Sequence, residues 1–259
     1  MKEFLGWDGY ERTPEGFLSW QHLLFVTILM VIMTSLAIFF GRRNRFSDLK
    51  IKNRVLIVSA ILINAFELFK ILVLCLKDKD PLAWLYELPL FLCSIQLIAI
   101  PVAAFTKGRV KEAALDFVFI FGILGAVLGT YGAGQNYSCY PVLSMDNVVS
   151  GITHSISGFA SLYIGISGMA SMKKKNLPIT FAILFFFCIA ASVANAILDY
   201  NYMFLVRGDG TPYDVLYNLV GGNAILYPAG VILLFILYIV AFNFVFHFTK
   251  NKSALKAKN

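Results

Sequence analysis

An all-α, polytopic membrane protein, folded as a bundle of seven transmembrane helices, is the fold class this sequence predicts. Composition is the first observation behind it. Of 259 residues, 59% are hydrophobic and 14% charged, where soluble domains carry ~25% charged residues; mean hydropathy is +0.74. The second is that apolar stretches of roughly 20 residues, the length that crosses a bilayer, recur along the chain. The third is that Lys and Arg gather in alternate connections, the pattern that orients membrane chains. The net charge of +7 therefore speaks to topology and not to nucleic acid.

Residues 1–16 are polar and acidic, with Trp7 and Tyr10 among them, and read as a short extracytoplasmic, interfacial segment. No basic region leads into a short apolar run, so no cleaved signal peptide is expected. The transmembrane domain covers 17–249. Its predicted spans are Phe17–Phe40, Arg54–Leu76, Leu82–Phe105, Glu112–Thr130, Val148–Ala170, Pro178–Tyr200 and Tyr227–Thr249. The fourth carries Gly122, Gly125 and Gly129, small positions suited to close helix contact. Residues 250–259 form a basic cytoplasmic tail. Two long connections, Tyr131–Asn147 and Asn201–Leu226, share one side and either cover the mouth of the bundle or merely connect. Sixteen of the 22 Lys and Arg fall on the other side, five on this one, and Lys70 lies within the second span. That asymmetry predicts an external N-terminus and a cytoplasmic C-terminus, in the plasma membrane of a bacterium.

Polar side chains inside hydrocarbon must find partners within the protein. Placed by this orientation, they concentrate in the outer half. The third span carries Glu87, Cys93, Ser94 and Gln96; the second Asn64, Glu67 and Lys70, spaced i, i+3, i+6; the fifth His154, flanked at i−4 and i+4 by Ser150 and Gly158; the sixth Ser192, Asn195 and Asp199; the first His22. The opposite half holds mainly Asp116. Each has an ordinary alternative. Glu67 and Lys70 can be an intrahelical ion pair, Asn195 and Asp199 can cap or glue helices, and a cysteine in an apolar helix behaves as a small hydrophobe.

Taken together, Cys93 and His154 suggest nucleophilic chemistry. A thiol in apolar surroundings is inert until a base removes its proton. His154 is the candidate base. Glu87, Gln96, Asn195 or Asp199 could orient the imidazole or donate to an oxyanion, and Gln96, one turn from Cys93, is the best-placed donor. Cys75, Cys93, Cys139 and Cys188 show no CxxC spacing, so no metal or cofactor is expected. A site from His22, His154 and Glu87 is conceivable, but the sequence fixes no distances among them.

At these residues the chain resembles the YwaF-like integral membrane proteins, bacterial relatives of transmembrane protein 164. The matching pieces are SxxHL at Ser19 to Leu23, LPLFLC at Leu88 to Cys93, the His-small-Gly pattern from His154 to Gly158, and NYMFL at Asn201 to Leu205. Many relatives carry His before the Leu-Cys pair, where this chain has Phe91. The resemblance implies a multi-helix membrane fold. It also implies a cysteine-dependent transfer of fatty acyl chains between phospholipids and lysophospholipids, with Cys93 as nucleophile, His154 as base, and Asn201 among the supporting residues. Water in place of the lysolipid would make such an enzyme a lipase. The rival expectation is a non-catalytic seven-helix receptor or transporter whose polar cluster binds a small polar or amphiphilic ligand. A retinal protein is disfavoured, because the last span has no Lys for a Schiff base.

Overall fold

The computed structural model describes residues 2–7 and 9–256, with side chains through Lys250. Most of the tail expected at 250–259 thus lies outside the described side chains. The helices in chain order are α1 (Lys2–Leu5), α2 (Trp20–Arg43), α3 (Leu49–Asp78), α4 (Gln96–Phe105), α5 (Gly108–Tyr131), α6 (Gly134–Cys139), α7 (Met145–Ile166), α8 (Leu177–Leu198), α9 (Tyr213–Leu219) and α10 (Leu226–Lys256). Among the described residues, five helical stretches are long and apolar enough to cross a membrane, those of α2, α3, α5, α8 and α10. The chain is a multi-pass membrane protein.

The helix ends follow local chemistry. Ser19 caps α2, its hydroxyl accepting from the His22 amide at 3.3 Å, and Ser144 caps α7 in the same way through Asn147; each satisfies an amide that the first helical turn leaves free. The SxxHL motif is therefore a helix cap with a histidine one turn in.

At the centre stands α5, whose apolar window is two-thirds buried, against about a fifth for α2 and α10. The outer helices turn Leu24, Ile28, Val31 and Phe39 of α2, or Phe186, Ile189 and Ile197 of α8, outward. Lipid tails are as apolar as these side chains, so burial supplies little attraction between helices in a membrane. Small residues and hydrogen bonds do that work. Ser157 Oγ donates to Gly122 O at 3.3 Å and Ser161 Oγ to Phe119 O at 2.7 Å, a register that runs α7 antiparallel to α5.

The end of the bundle that carries the Arg- and Lys-rich connections is tied together by buried polar groups. Lys111 Nζ donates to Asn53 Oδ1 and Ala103 O, both at 2.5 Å, and Asn53 Nδ2 to Ala104 O at 2.7 Å. These bonds serve carbonyls at the C-terminus of α4, where a cation is also favoured by the helix dipole. Asp116, 2% exposed, accepts from the Ser171 and Met172 amides at 3.0 and 2.9 Å and from Asn176 Nδ2 at 3.0 Å. Tyr163 receives Asn44 Nδ2 and donates to Lys52 O. This half is therefore richer in polar groups than the expectation of little beyond Asp116. Lys111, Asp116 and Tyr163 are each bonded within it.

At the opposite end Tyr10 donates to Asp146 at 2.6 Å; burial and that carboxylate push the phenol's pKa up. Lys77 stands 3.8 Å from the same carboxylate.

Candidate functional site

The third predicted span is the largest departure from expectation. In place of one helix over Leu82–Phe105, a 3-10 turn covers Ala83–Glu87, irregular backbone follows, and α4 begins only at Gln96. The cause is local. Pro89 disfavours helical backbone at the residue before it, and Leu88 adopts φ −58°, ψ 146°. Ser94 Oγ donates to Phe91 O and accepts from the Phe91 amide at 3.1 and 3.0 Å, a local pairing that competes with a helix. Cys93 sits in this turn, immediately before α4.

Three consequences follow for Cys93. Its own amide and that of Ser94 approach its sulfur. The positive end of the α4 dipole lies beside it. And Gln96, the first residue of α4, is completely buried with neither side-chain polar atom hydrogen-bonded. Leaving a buried amide unpaired costs about 1–3 kcal/mol, so such a group is kept where something other than the fold uses it. Farther along α4, Pro101 withdraws the amide that would bond Leu97 O; Asn64 Nδ2 of α3 takes that carbonyl at 3.1 Å.

On α5, two glycines shape the wall. A methyl at Gly125 would stand 3.2 Å from Cys93 Cβ, and one at Gly129 would stand 2.3–2.6 Å from three ring atoms of His154. Gly125 and Gly129 are one turn apart on one face, about 5–6 Å between such positions. The turn bearing Cys93 and the imidazole of His154 on α7 thus rest side by side on one glycine stripe. Both are half-buried, and both lie in the field of Lys70.

The two histidines in the half away from the basic connections are in different states. His22 is fully buried; its Nδ1 accepts from the Leu18 amide, its Nε2 meets Thr130 O, both at 3.1 Å, and its ring stacks on Tyr137. The bonds assign the proton to Nε2 and leave neither nitrogen for other chemistry. His154 has no hydrogen-bond partner among the described residues.

Lys70 Nζ lies 2.9 Å from Glu67 Oε1 and 2.7 Å from Glu87 Oε2. The i, i+3 pair expected from sequence is present, and Glu87 joins it from the 3-10 turn.

Asn195 and Asn201 are engaged by backbone. Asn195 Nδ2 donates to Tyr202 O at 3.1 Å and its Oδ1 accepts from the Tyr202 amide at 2.6 Å. Asn201 Oδ1 accepts from the Val206 and Arg207 amides, and its Nδ2 reaches Asp209 Oδ2 at 2.8 Å. Of the sixth-span triplet only Asn195 is buried; Ser192 and Asp199 are exposed, Asp199 as the left-handed cap of α8.

Reading by sequence alone missed what NYMFL builds. Met203 and Phe204 both have φ near 56°, a conformation that costs bulky residues about 1–3 kcal/mol each. The resulting knuckle sets Tyr202 and Phe204 against Phe91, ring centres 5.2 and 5.6 Å apart, while the Tyr202 hydroxyl donates to Leu85 O. Tyr213 of α9 stacks on Phe204 and lies within electrostatic reach of Cys93. An aromatic cover thus spans the broken segment at the end away from the basic connections.

The TMEM164 family model matches residues 17–246, which includes every residue of this site. No curated protein and no solved structure matches the chain.

Proposed function

This chain belongs to the TMEM164 family, and from that premise we propose that it is a membrane lipid acyltransferase working through a thioester on Cys93. His154 takes the thiol proton. The thiolate attacks the carbonyl carbon of a phospholipid acyl ester. The amides of Cys93 and Ser94, with Gln96 Nε2, hold the oxyanion that forms. Collapse breaks the ester C–O bond, and the departing lysophospholipid oxygen takes the proton from His154. A second lysophospholipid hydroxyl then gives its proton to His154 and attacks the thioester, releasing the acylated lipid, and the proton returns to sulfur.

One observation carries this reading: the Cys93 turn and a hydrogen-bond-free His154 share the Gly125–Gly129 face of α5. Two others support it. Irregular backbone at membrane depth persists only where protein covers it or a cavity needs it. The buried, unpaired Gln96 is a donor with no structural employer.

The finer topology belongs to the same proposal. We count α7 and the broken third segment as spans beside the five, seven in all, with the N-terminus external and the basic connections in the cytoplasm. The site then opens to the outer leaflet of a bacterial plasma membrane.

The test is acyl transfer from a labelled phospholipid to a lysophospholipid by the purified protein. Cys93→Ala and His154→Ala are each expected to lose transfer by at least the 10²–10⁴-fold that a general base contributes. Undiminished transfer by either variant removes the mechanism. Retained ligand binding by Cys93→Ala, with loss in Glu67→Gln or Glu87→Gln, would instead favour a non-catalytic binder.

A further inference from the structure

At the basic end, the elbow between α2 and α3 frames an open groove of about 450 Å³ lined by Phe40, Arg43, Asn44, Ser47, Arg54 and Val55, among others. Its two arginines differ from three cations elsewhere at that end. Lys173 is paired with Glu112 at 2.7 Å, Arg109 donates to Lys175 O, and Lys111 is fully bonded. Arg43 and Arg54 have no carboxylate and no hydrogen-bond acceptor among the described residues. Arg54 stands more than one turn inside a helix long enough to span the membrane. Two unpaired guanidinium groups that line one groove offer a site for an anion from outside the chain.

The surroundings match one kind of anion. The Asp48 side chain at the N-cap of α3 makes no capping bond, while its carbonyl takes the Ile51 and Lys52 amides, so the Leu49 and Lys50 amides are left at the positive end of the helix dipole. Phe40 and Val55 give the groove an apolar floor. Phe46, at the tip of the elbow, is 94% exposed with Arg45 over its ring at 5.8 Å, the composition of a segment that sits among lipid headgroups. We propose that the α2–α3 elbow is a binding site for the phosphodiester headgroup of an anionic phospholipid in the leaflet at the basic end. Arg43 and Arg54 hold the phosphate, and the apolar floor receives the start of the acyl chains. This site is separate from Cys93 and stands whether or not acyl transfer does.

The experiment is native mass spectrometry of the purified full chain in neutral detergent with equimolar dioleoyl phosphatidylglycerol and dioleoyl phosphatidylcholine. The expected result is saturable retention of phosphatidylglycerol over phosphatidylcholine. The double variant Arg43→Gln/Arg54→Gln should weaken retention by about tenfold or more. A Lys174→Gln/Lys175→Gln control, with equal charge loss at the same end but outside the groove, should change it by less than about twofold. Equal retention of the two lipids by the unaltered protein overturns the proposal, and so does equal loss in the control. Displacement of the lipid by millimolar inorganic phosphate would show an ion site and overturn it as well. Both arginines are exposed and unbonded, so the double variant is expected to keep its thermal midpoint; the lipid preference of the unaltered protein decides independently of it.

Discussion

His22 and His154 show what a residue's surroundings add to its identity. Both are imidazoles in the half of the bundle away from the basic connections, and the cost of a polar ring in hydrocarbon flags both. The sequence could not separate them, because the acceptor of His22 comes from Thr130, 108 positions away. His22→Ala breaks a tie between α2 and α5, losing the ring's bonds to the Leu18 amide and the Thr130 carbonyl. It is expected to lower stability by about 1–3 kcal/mol, read as a fall in thermal midpoint. His154→Ala breaks no bond and should leave the midpoint nearly unchanged while transfer is lost. Gln96 supplies a sharper contrast. Since its amide is buried and unpaired, Gln96→Leu should hold or raise the thermal midpoint yet lower transfer. A Gln96→Leu protein that is destabilised with full activity would assign the residue to the fold.

Among the elements, the third segment decides the site. Pro89 and Ser94 were signals of a break, but the run around them is apolar enough to pass for one helix, and hydropathy has no term for a turn that protein covers. The glycine spacing of α5 was legible as a close-contact face; what rests on it was not, since α4 and α7 come from either side of α5 in the chain. Likewise NYMFL is visible as a motif, while its left-handed knuckle at Met203 and Phe204 follows from tertiary packing. The glycine face gives a direct prediction. A methyl in Gly129→Ala would overlap the His154 ring, and that ring can swing aside. Stability should therefore change little, whereas misplacing a catalytic group by about 1 Å costs on the order of 100-fold in rate. Gly125→Ala meets the Cys93 Cβ and Cα at 3.2 and 3.3 Å, needs a smaller shift, and should cost less. Single-turnover transfer rates beside thermal midpoints for the two variants check this order.

Across the whole molecule, the two ends divide labour. The basic end is closed by bonded groups around Lys111, Asp116 and Tyr163. The other end holds the broken segment, the Lys70 cluster and an aromatic cover. Composition and loop charge sufficed for a multi-pass helical membrane protein, because those are sums over the chain. The bonded groups at the basic end were less legible, since a buried Lys111 or Asn53 counts in sequence as one more polar loop residue. Asp116→Ala would strip the acceptor from two amides and Asn176, costing more than about 2 kcal/mol, and should lower the thermal midpoint without a specific effect on the chemistry of the protein that remains folded. The central claim is that sulfur at Cys93 carries the acyl group. Intact-mass and peptide mass spectrometry of protein quenched in acid after exposure to phospholipid alone tests it most directly. The account predicts one acyl chain on Cys93, discharged by added lysophospholipid and absent in His154→Ala. Transfer that proceeds at full rate with Cys93 unmodified, or with Cys93 replaced by Ala, would contradict it.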